Sequence, residues 1–311
     1  MLAPGRYRID VTIHGAGVLH DHLVGAFFDV EQGRRSRPPG DRRRSRYRRP
    51  AAPMGAAAGA VVIIDLHAHV LPGVDDGPDT IEECVAAVAA AAEAGVSVLA
   101  STPHVRSDYP TTLAEMETHV RELAECVAAS GLATTILTGA ELSLDAAGST
   151  PDAELLRFGL GGTGSLLIEF PYDGWPPGLA RELERLQARG FRLVLAHPER
   201  NPEVQAAPGR LNALVEEGVL VQLTASSVAG TAGQRTQSTA LRLLELRLAH
   251  MLASDMHGAF RGATDFHGAL ERLRDPRLGR WLTHDVPSAV IGDDEIPIRP
   301  EAVKRRLRWP R

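Results

Sequence analysis

Apolar, β-branched segments recur along the chain from residue 61 onward and alternate with longer stretches of helical periodicity. The apolar segments lie at 61–66, 96–101, 134–139, 166–170, 192–196, 219–223 and 250–253. The helical pattern occupies 81–94, 113–130, 176–189, 208–217 and 234–248. Nearly continuous apolar strands that alternate with helices predict a parallel sheet covered by helices on its faces. Seven such repeats in one run favour a closed (β/α)7 barrel over an open, doubly wound sheet.

Side chains with metal-binding chemistry stand at the ends of these predicted strands. His67 and His69 follow the first strand and, being two residues apart, point to the same side of it. A single His-x-His pair is equally consistent with two buried histidines that bond to the backbone. Five other strands, however, end in further His, Asp or Glu residues, namely His104, Glu141, Glu169, His197, Asp255 and His257. Because barrels of this type build their active sites at the carboxyl ends of the strands, we expect one shared site.

This set of side chains is too large for a single ion and predicts two or three metals with shared carboxylates. Mixed nitrogen and oxygen ligands without thiolate favour Mn, Fe or Zn over Ca or Mg. Paired metals activate water and hold both oxygens of a phosphoester displacement, so phosphoester hydrolysis is the expected chemistry. Arg200 could grip a phosphate with its planar guanidinium or form an ion pair with Glu199. Asp75 and Asp76 both follow the His pair, and chemistry alone does not separate a ligand from a helix cap.

The cysteine content and the hydropathy of the chain indicate its cellular compartment and exclude one class of phosphatase. The two cysteines, Cys84 and Cys126, imply no disulfide framework and favour a reducing, cytoplasmic setting. Neither has the arginine six residues later that cysteine-based tyrosine phosphatases require, since Ala90 and Leu132 stand there. The sequence has no apolar run of about 18 residues, which predicts no membrane insertion. Its start also lacks the pattern of a secretory signal.

Charge is distributed unevenly between the first 60 residues and the rest. Residues 1–60 hold eleven arginines and five acidic residues, whereas the whole chain has a net charge of -5, so the remainder is acidic. We expect residues 1–60 to be a disordered, Arg-rich extension. A start codon placed too early would explain this extension, with the protein beginning at Met54 or near Val61. A nucleic-acid-binding tail is the alternative, which the acidic body disfavours. The expected phosphatase domain is 61–300, and 301–311 form a basic, solvated tail.

The strand-end motifs together resemble the PHP (polymerase and histidinol phosphatase) superfamily. Within it, residues 62–260 look like the bacterial manganese-dependent tyrosine-protein phosphatases of the CpsB/CapC type, found in capsule and exopolysaccharide operons. The motifs that carry this resemblance are Ile64-Asp65-Leu66-His67-Ala68-His69, Leu71-Pro72-Gly73-Val74-Asp75-Asp76-Gly77, Thr102-Pro103-His104, Gly139-Ala140-Glu141, Ile168-Glu169-Phe170-Pro171, Ala196-His197-Pro198-Glu199-Arg200 and Ala253-Ser254-Asp255-Met256-His257.

The resemblance implies a distorted seven-stranded α/β barrel of PHP type with a trinuclear site, normally filled by Mn2+. Its implied substrate is phosphotyrosine on a protein, with a bacterial tyrosine autokinase of capsule or exopolysaccharide synthesis as the partner. Arg200 corresponds to the arginine that contacts phosphate, Arg261 is the candidate for a second, and His257 or a metal-bound water would protonate the leaving group. The implied metal ligands are His67, His69, Asp76, His104, Glu141, Glu169, His197, Asp255 and His257.

Two alternative functions stay open at this point, and a third is excluded. Another PHP phosphatase, such as histidinol-phosphate phosphatase, would use the same side chains on a small substrate. A non-catalytic metal-binding module is the non-enzymatic alternative, although no ligand of the set is missing. Amidohydrolases also begin with His-x-His, but the type that bridges its metals with a carboxylated lysine is excluded because the sole lysine is Lys304.

Overall fold

The computed structural model describes residues 62–259 and 265–301, together with the backbone of two N-terminal strands. Strands β1 (Gly5–Gly15) and β2 (Val18–Val30) pair in antiparallel fashion, where the sequence predicted no regular structure. The Arg-rich segment 34–44 and the chain beyond residue 301 lie outside the described residues. The expected disorder of 31–60 therefore stays a prediction.

The remaining strands form two parallel sheets, which confirms the predicted α/β class. The smaller sheet has the order β3-β4-β6 and contains β3 (Ile63–Ala68), β4 (Val96–Ser101) and β6 (Thr135–Leu137). The larger sheet has the order β11-β10-β9-β8-β7-β5, and its strands are β5 (His104–Val105), β7 (Glu141–Leu142), β8 (Ser165–Glu169), β9 (Arg192–Ala196), β10 (Leu220–Thr224) and β11 (Met251–Ala253).

The two sheets are linked at both sides, although the described strands do not close into one sheet. β5 follows β4 and β7 follows β6 after a few residues, so two stretches of chain take part in both sheets. On the other side, a parallel bridge joins Ala68 to Met256. The Asp255 N–H donates to the His67 carbonyl at 2.9 Å, and the His69 N–H donates to the Met256 carbonyl at 2.8 Å. The carboxyl ends of β3 and β11 consequently meet.

Four of the five predicted helical segments appear almost as expected, as α1 (Ile81–Glu93), α2 (Leu113–Ala129), α5 (Leu179–Ala188) and α9 (Gln234–Glu245). The fifth divides into a 3-10 turn, Pro208–Leu211, and α7 (Asn212–Glu216). A π-helix, Trp281–Asp285, lies between two of the helices that the pattern did not predict. These helices are α3 (Leu144–Ser149), α4 (Asp152–Phe158), α6 (Pro202–Ala206), α8 (Ala225–Ala229), α10 (Asp265–Leu273), α11 (Pro276–Arg280) and α12 (Val286–Gly292).

Local sequence explains where the first helices begin and why the strands are buried on both faces. Thr80 caps α1 and Thr112 caps α2, each in a capping box with the glutamate three residues later. Every residue of β8 and β10 is buried, as expected for strands covered on both faces. Among the described residues, no helix has the length and apolar character needed to cross a membrane.

Candidate metal centre

All nine predicted ligand side chains meet at the carboxyl ends of the parallel strands. They fall into four overlapping groups, and within each group the nitrogen and oxygen atoms lie within 4.8 Å of one another. The groups share His67, His69, His104 and Glu141, as expected where neighbouring ions share ligands. The four groups are His69, Asp76, His104 and His257; His67, Glu141 and His197; His67, His69 and Asp255; and His104, Glu141 and Glu169.

The two histidines of the first motif face each other with their Nε2 atoms. His67 Nδ1 lies 2.9 Å from Gln222 Oε1, and His69 Nδ1 lies 2.7 Å from Asp75 Oδ2. Because these oxygens only accept, each Nδ1 carries a proton, and in the neutral ring Nε2 then carries a lone pair. The two Nε2 atoms are only 3.1 Å apart. Two lone pairs at this distance repel unless a proton or a metal cation lies between them, so the geometry fits a shared ion.

Glu141 lies at the middle of the cluster and is completely buried. Its Oε2 is 3.0 Å from His104 Nδ1, its Oε1 is 3.0 Å from His197 Nε2, and neither oxygen accepts a well-directed hydrogen bond. Burial disfavours its charge, but His67, His104 and His197 outweigh burial and hold the pKa of Glu141 well below its usual range. A buried carboxylate with unsatisfied oxygens is costly by itself and is well suited to bind a cation.

The pKa values of the remaining groups reflect the crowding of opposite charges in the cluster. Burial opposes a positive charge on His69, yet hydrogen bonds to Asp255 and Asp75 raise its pKa well above the ordinary value, so the surrounding carboxylates favour a cation at this place, either a proton on the ring or a metal ion. The pKa of Asp255 is strongly lowered, since His67 and other cationic neighbours outweigh its burial. The pKa of Glu169 is raised by burial and by the nearby charge of Glu141. Such opposed shifts are typical of functional sites.

The structure separates the two aspartates that sequence chemistry left undecided. Asp75 accepts hydrogen bonds from His69 Nδ1, from the His104 N–H at 3.1 Å and from the Gly77 N–H at 3.0 Å. Asp76 Oδ1 instead lies 3.3 Å from His257 Nε2 and 3.5 Å from His104 Nε2. Asp76 thus stands among the ring nitrogens, where the resemblance put it, whereas Asp75 orients His69 from behind.

Arg200 reaches the cluster rather than the neighbouring glutamate. Its Nη1 lies 2.7 Å from Asp255 Oδ2, and a quarter of its side chain is exposed. Glu199 is buried and accepts hydrogen bonds from the N–H and hydroxyl of Thr224, at 2.9 and 3.0 Å. The alternative of a surface ion pair between Arg200 and Glu199 is therefore wrong. Arg261 lies outside the described residues.

Two further residues at the centre, Gln222 and Arg106, were missed by the sequence reasoning, whereas Asp75 was named there with its role left open. Gln222 and Asp75 orient the paired histidines, as described above. Arg106, two residues after His104, places its Nη1 2.5 Å from Glu169 Oε1. Its proximity to a strand-end histidine is the one signal that would have marked it. Gln222 is marked only as a polar residue inside the apolar strand β10. Nothing in the sequence links it to His67, which lies 155 residues away.

Two of the five non-glycine residues with positive φ among the described residues belong to the cluster. His197 has a φ of 34° and Asp255 a φ of 52°, both in the left-handed region that favours glycine. Such conformations cost on the order of 1–3 kcal/mol and persist where the surroundings fix them. His197 directly follows β9, Asp255 lies two residues after the end of β11, and both place a side-chain atom in the cluster.

Neither cysteine belongs to the centre. Cys84 is buried in α1, and this burial raises the pKa of its thiol to about 12. A thiol that stays protonated at neutral pH is a poor nucleophile. The exclusion of cysteine-based phosphatase chemistry therefore holds on structural grounds as well.

Comparison with known proteins agrees with this arrangement. Residues 63–281 match the model of the family described as "Capsular polysaccharide synthesis, CpsB/CapC". The chain belongs to the CpsB/CapC family. Membership confirms the resemblance that the strand-end motifs carried.

Relatives within the CpsB/CapC family are named as tyrosine-protein phosphatases. Tyrosine-protein phosphatase YwqE of Bacillus subtilis is 30% identical over 250 residues, which cover 78% of this chain and 98% of the relative. Tyrosine-protein phosphatase CpsB of Streptococcus pneumoniae is 31% identical over 206 residues, covering 63% and 83%. One of the crystal structures of YwqE and CpsB from these organisms, described as unique metal-dependent tyrosine phosphatases, superposes with a TM-score of 0.68 at 29% identity, covering 78% of this chain and all of that one.

Proposed function

We propose that this CpsB/CapC protein is a metal-dependent phosphomonoesterase that hydrolyses phosphotyrosine in proteins. The observation that carries this proposal is the convergence of five imidazoles and four carboxylates, with opposed lone pairs, beside the guanidinium of Arg200. The names of the relatives support phosphotyrosine as the substrate. We further propose that the substrate is a bacterial tyrosine autokinase of capsule or exopolysaccharide synthesis, and that both proteins act in the cytoplasm. The family description supports the setting in capsule synthesis.

The nine clustered side chains would hold two or three ions, for which we propose Mn2+, with Fe or Zn as alternatives. Nitrogen and oxygen donors without thiolate support this choice. When bound, the metals supply a nucleophilic water and neutralise charge on the phosphoryl group.

The protein's own residues would bind the phosphate and manage the leaving group. Arg200, held by Asp255, presents its guanidinium to the phosphate oxygens. A phenolate leaves with a pKa near 10 and so needs less protonation than an alkoxide. His257, 15% exposed and 3.3 Å from Asp76, or a water at the site would deliver that proton.

We also propose that the two parallel sheets act together as one distorted seven-stranded barrel. The strand breaks between β4 and β5 and between β6 and β7, together with the Ala68–Met256 bridge, support this description. Its function would be to bring the carboxyl ends of six strands to one rim, where the ligands lie.

The test couples metal content to activity on phosphotyrosine peptides. We expect the purified, metal-loaded protein to hydrolyse these peptides, to lose activity with a chelator and to regain it with Mn2+. His197→Ala should bind less metal and lose activity by more than about a hundredfold, since ligands matter at least as much as the groups that orient them. His267→Ala, an exposed histidine on α10, is the matched control.

Full metal loading without phosphotyrosine hydrolysis in the wild type would overturn the proposal. Rapid hydrolysis of histidinol phosphate in that case would favour the small-molecule alternative. Metal binding without any phosphatase activity would favour a non-catalytic module.

A further inference from the structure

Tyr172 presents an unusually exposed aromatic ring at the edge of the metal centre. It is 48% exposed and is one of three large hydrophobic side chains that are exposed among the described residues. Its ring stacks on His197, with ring centroids 5.7 Å apart and an angle of 22° between the planes. The same side chain contacts the guanidinium of Arg200. The exposed ring therefore lies directly beside a proposed metal ligand and the proposed phosphate-binding arginine.

The loop that carries Tyr172 is held firmly rather than left free. The side-chain amide of Asn201 donates to the carbonyls of Pro171 and Gly174, at 2.7 and 2.8 Å. Asn201 is itself buried and caps α6. Because both ends of this short segment are fixed, the Tyr172 ring keeps its position over His197. A ring fixed before binding loses little entropy when a ligand stacks on it.

A second tyrosine flanks the centre but offers no comparable surface. Tyr109 stacks on His104, with centroids 5.6 Å apart and planes 18° apart. The guanidinium of Arg106 also lies over this ring, 5.1 Å from its centroid. The ring of Tyr109 is therefore covered by a histidine and an arginine and is only partly exposed, whereas the ring of Tyr172 stacks on a histidine alone and keeps a large exposed area.

We propose that Tyr172 is a specificity-determining residue that binds the aryl group of the substrate by stacking, while Arg200 binds its phosphate. This proposal rests on the proposed function and deepens it, because stacking on Tyr172 would make an aryl phosphate bind more tightly than an alkyl phosphate. A phosphotyrosine bound through its phosphate at Arg200 brings its own ring beside Tyr172. Stacked rings gain binding energy from buried apolar area and from their quadrupoles. A phosphoserine side chain has no ring and gains none of this.

The test measures inhibitor binding to the full-length, metal-loaded protein, so that it does not depend on turnover. Calorimetry gives the Kd of phenylphosphonate and of methylphosphonate for the wild type, Tyr172→Leu and Tyr172→Phe. We expect Tyr172→Leu to weaken phenylphosphonate about tenfold and methylphosphonate less than about twofold. Tyr172→Phe keeps the ring and should stay within about twofold of the wild type for both ligands. Equal weakening of both ligands in Tyr172→Leu would overturn the proposal.

Tyr109→Leu is the matched control, since it also removes a ring that stacks on a histidine of the cluster. We expect Tyr109→Leu to leave the Kd of phenylphosphonate relative to that of methylphosphonate unchanged. If it raises this relative Kd as much as Tyr172→Leu does, the effect comes from the histidines and the proposal fails. If Tyr172 governs phenylphosphonate binding but the wild type does not hydrolyse phosphotyrosine, the proposed function fails, and with it the specificity role, while the binding of an aryl ring by Tyr172 is retained.

Discussion

Single residues behind the proposed ligands decide how the candidate metal centre is organised. Asp75 and Asp76 are neighbours in the chain with the same chemistry, yet one orients His69 and the other stands among the ring nitrogens. Gln222 does for His67 what Asp75 does for His69. Both fix the tautomer that leaves a lone pair on Nε2, and such partners raise the basicity of the ring.

Replacing Asp75 by Asn tests this orienting role. The variant offers one carbonyl oxygen where two carboxylate oxygens now accept three hydrogen bonds, and it removes the negative charge beside His69. We expect the affinity for Mn2+ to fall about 10- to 100-fold, with activity recovering at high metal concentration. Titration with Mn2+, monitored by calorimetry, measures the affinity, and the phosphatase rate at increasing Mn2+ concentration measures the recovery of activity. Asp79→Asn, exposed in the same loop, should leave affinity unchanged, and an unaffected Asp75→Asn would contradict the assigned role.

Among the secondary-structure elements, helix ends show where local sequence suffices and where it does not. Four of the helical segments in the sequence pattern are followed directly by a glycine, which is a common end signal, and Gly95, Gly131, Gly190 and Gly218 all have positive φ. By contrast, α9 ends at Glu245, whereas the pattern predicted 248. Arg247 takes the left-handed position there with a φ of 63°, and the Leu248 N–H donates back to the Leu243 carbonyl at 2.9 Å. No glycine signals this end, so the sequence did not reveal it.

Substitution of Arg247 by Gly should stabilise the protein. Because a left-handed conformation costs a non-glycine residue roughly 1–2 kcal/mol, we expect the free energy of unfolding to rise by about 1 kcal/mol. Arg242→Gly, inside the same helix, should lower it by about 1 kcal/mol. Urea unfolding of both variants checks the opposite signs. A destabilising effect of Arg247→Gly would show that the arginine side chain contributes more than its backbone strain costs.

At the scale of the whole molecule, His250 links the parallel sheet to the C-terminal helices. Its Nδ1 accepts the N–H of Val221 in β10 at 3.1 Å, and its ring lies 6.2 Å from that of Trp281. Burial and the charge of Arg299 lower the pKa of His250 from 6.5 to about 4. The folded protein thus keeps this histidine neutral, which its role as an acceptor requires.

This linkage predicts how stability depends on pH. Between pH 6.5 and about 4 the unfolded chain binds a proton at His250 that the folded chain does not, so stability falls as the pH falls through this window. In His250→Asn, whose Oδ1 can accept the Val221 N–H, we expect this decrease to be smaller by on the order of 3 kcal/mol. Chemical denaturation of the wild type and of His250→Asn at several pH values, each after metal removal with a chelator, measures the difference. Identical pH profiles would refute the linkage.

The sequence by itself determined the α/β class, most long helices, the positions of most strands along the chain and the strand-end side chains of the centre. These features follow from local periodicity and from the rule that parallel strands end at the same rim. The residue types at that rim also sufficed to predict metal-dependent phosphoester chemistry, because ligand preference is a property of each side chain.

Only the tertiary structure decided which of these side chains touch, and through which atoms. It paired Arg200 with Asp255, placed Gln222 behind His67 and Arg106 beside Glu169, and left the ring of Tyr172 exposed. It also separated Asp75 from Asp76 on geometry alone, where the sequence had needed a family resemblance. These contacts join residues far apart in the chain, and they depend on how strands and loops stack in space, which no local pattern encodes.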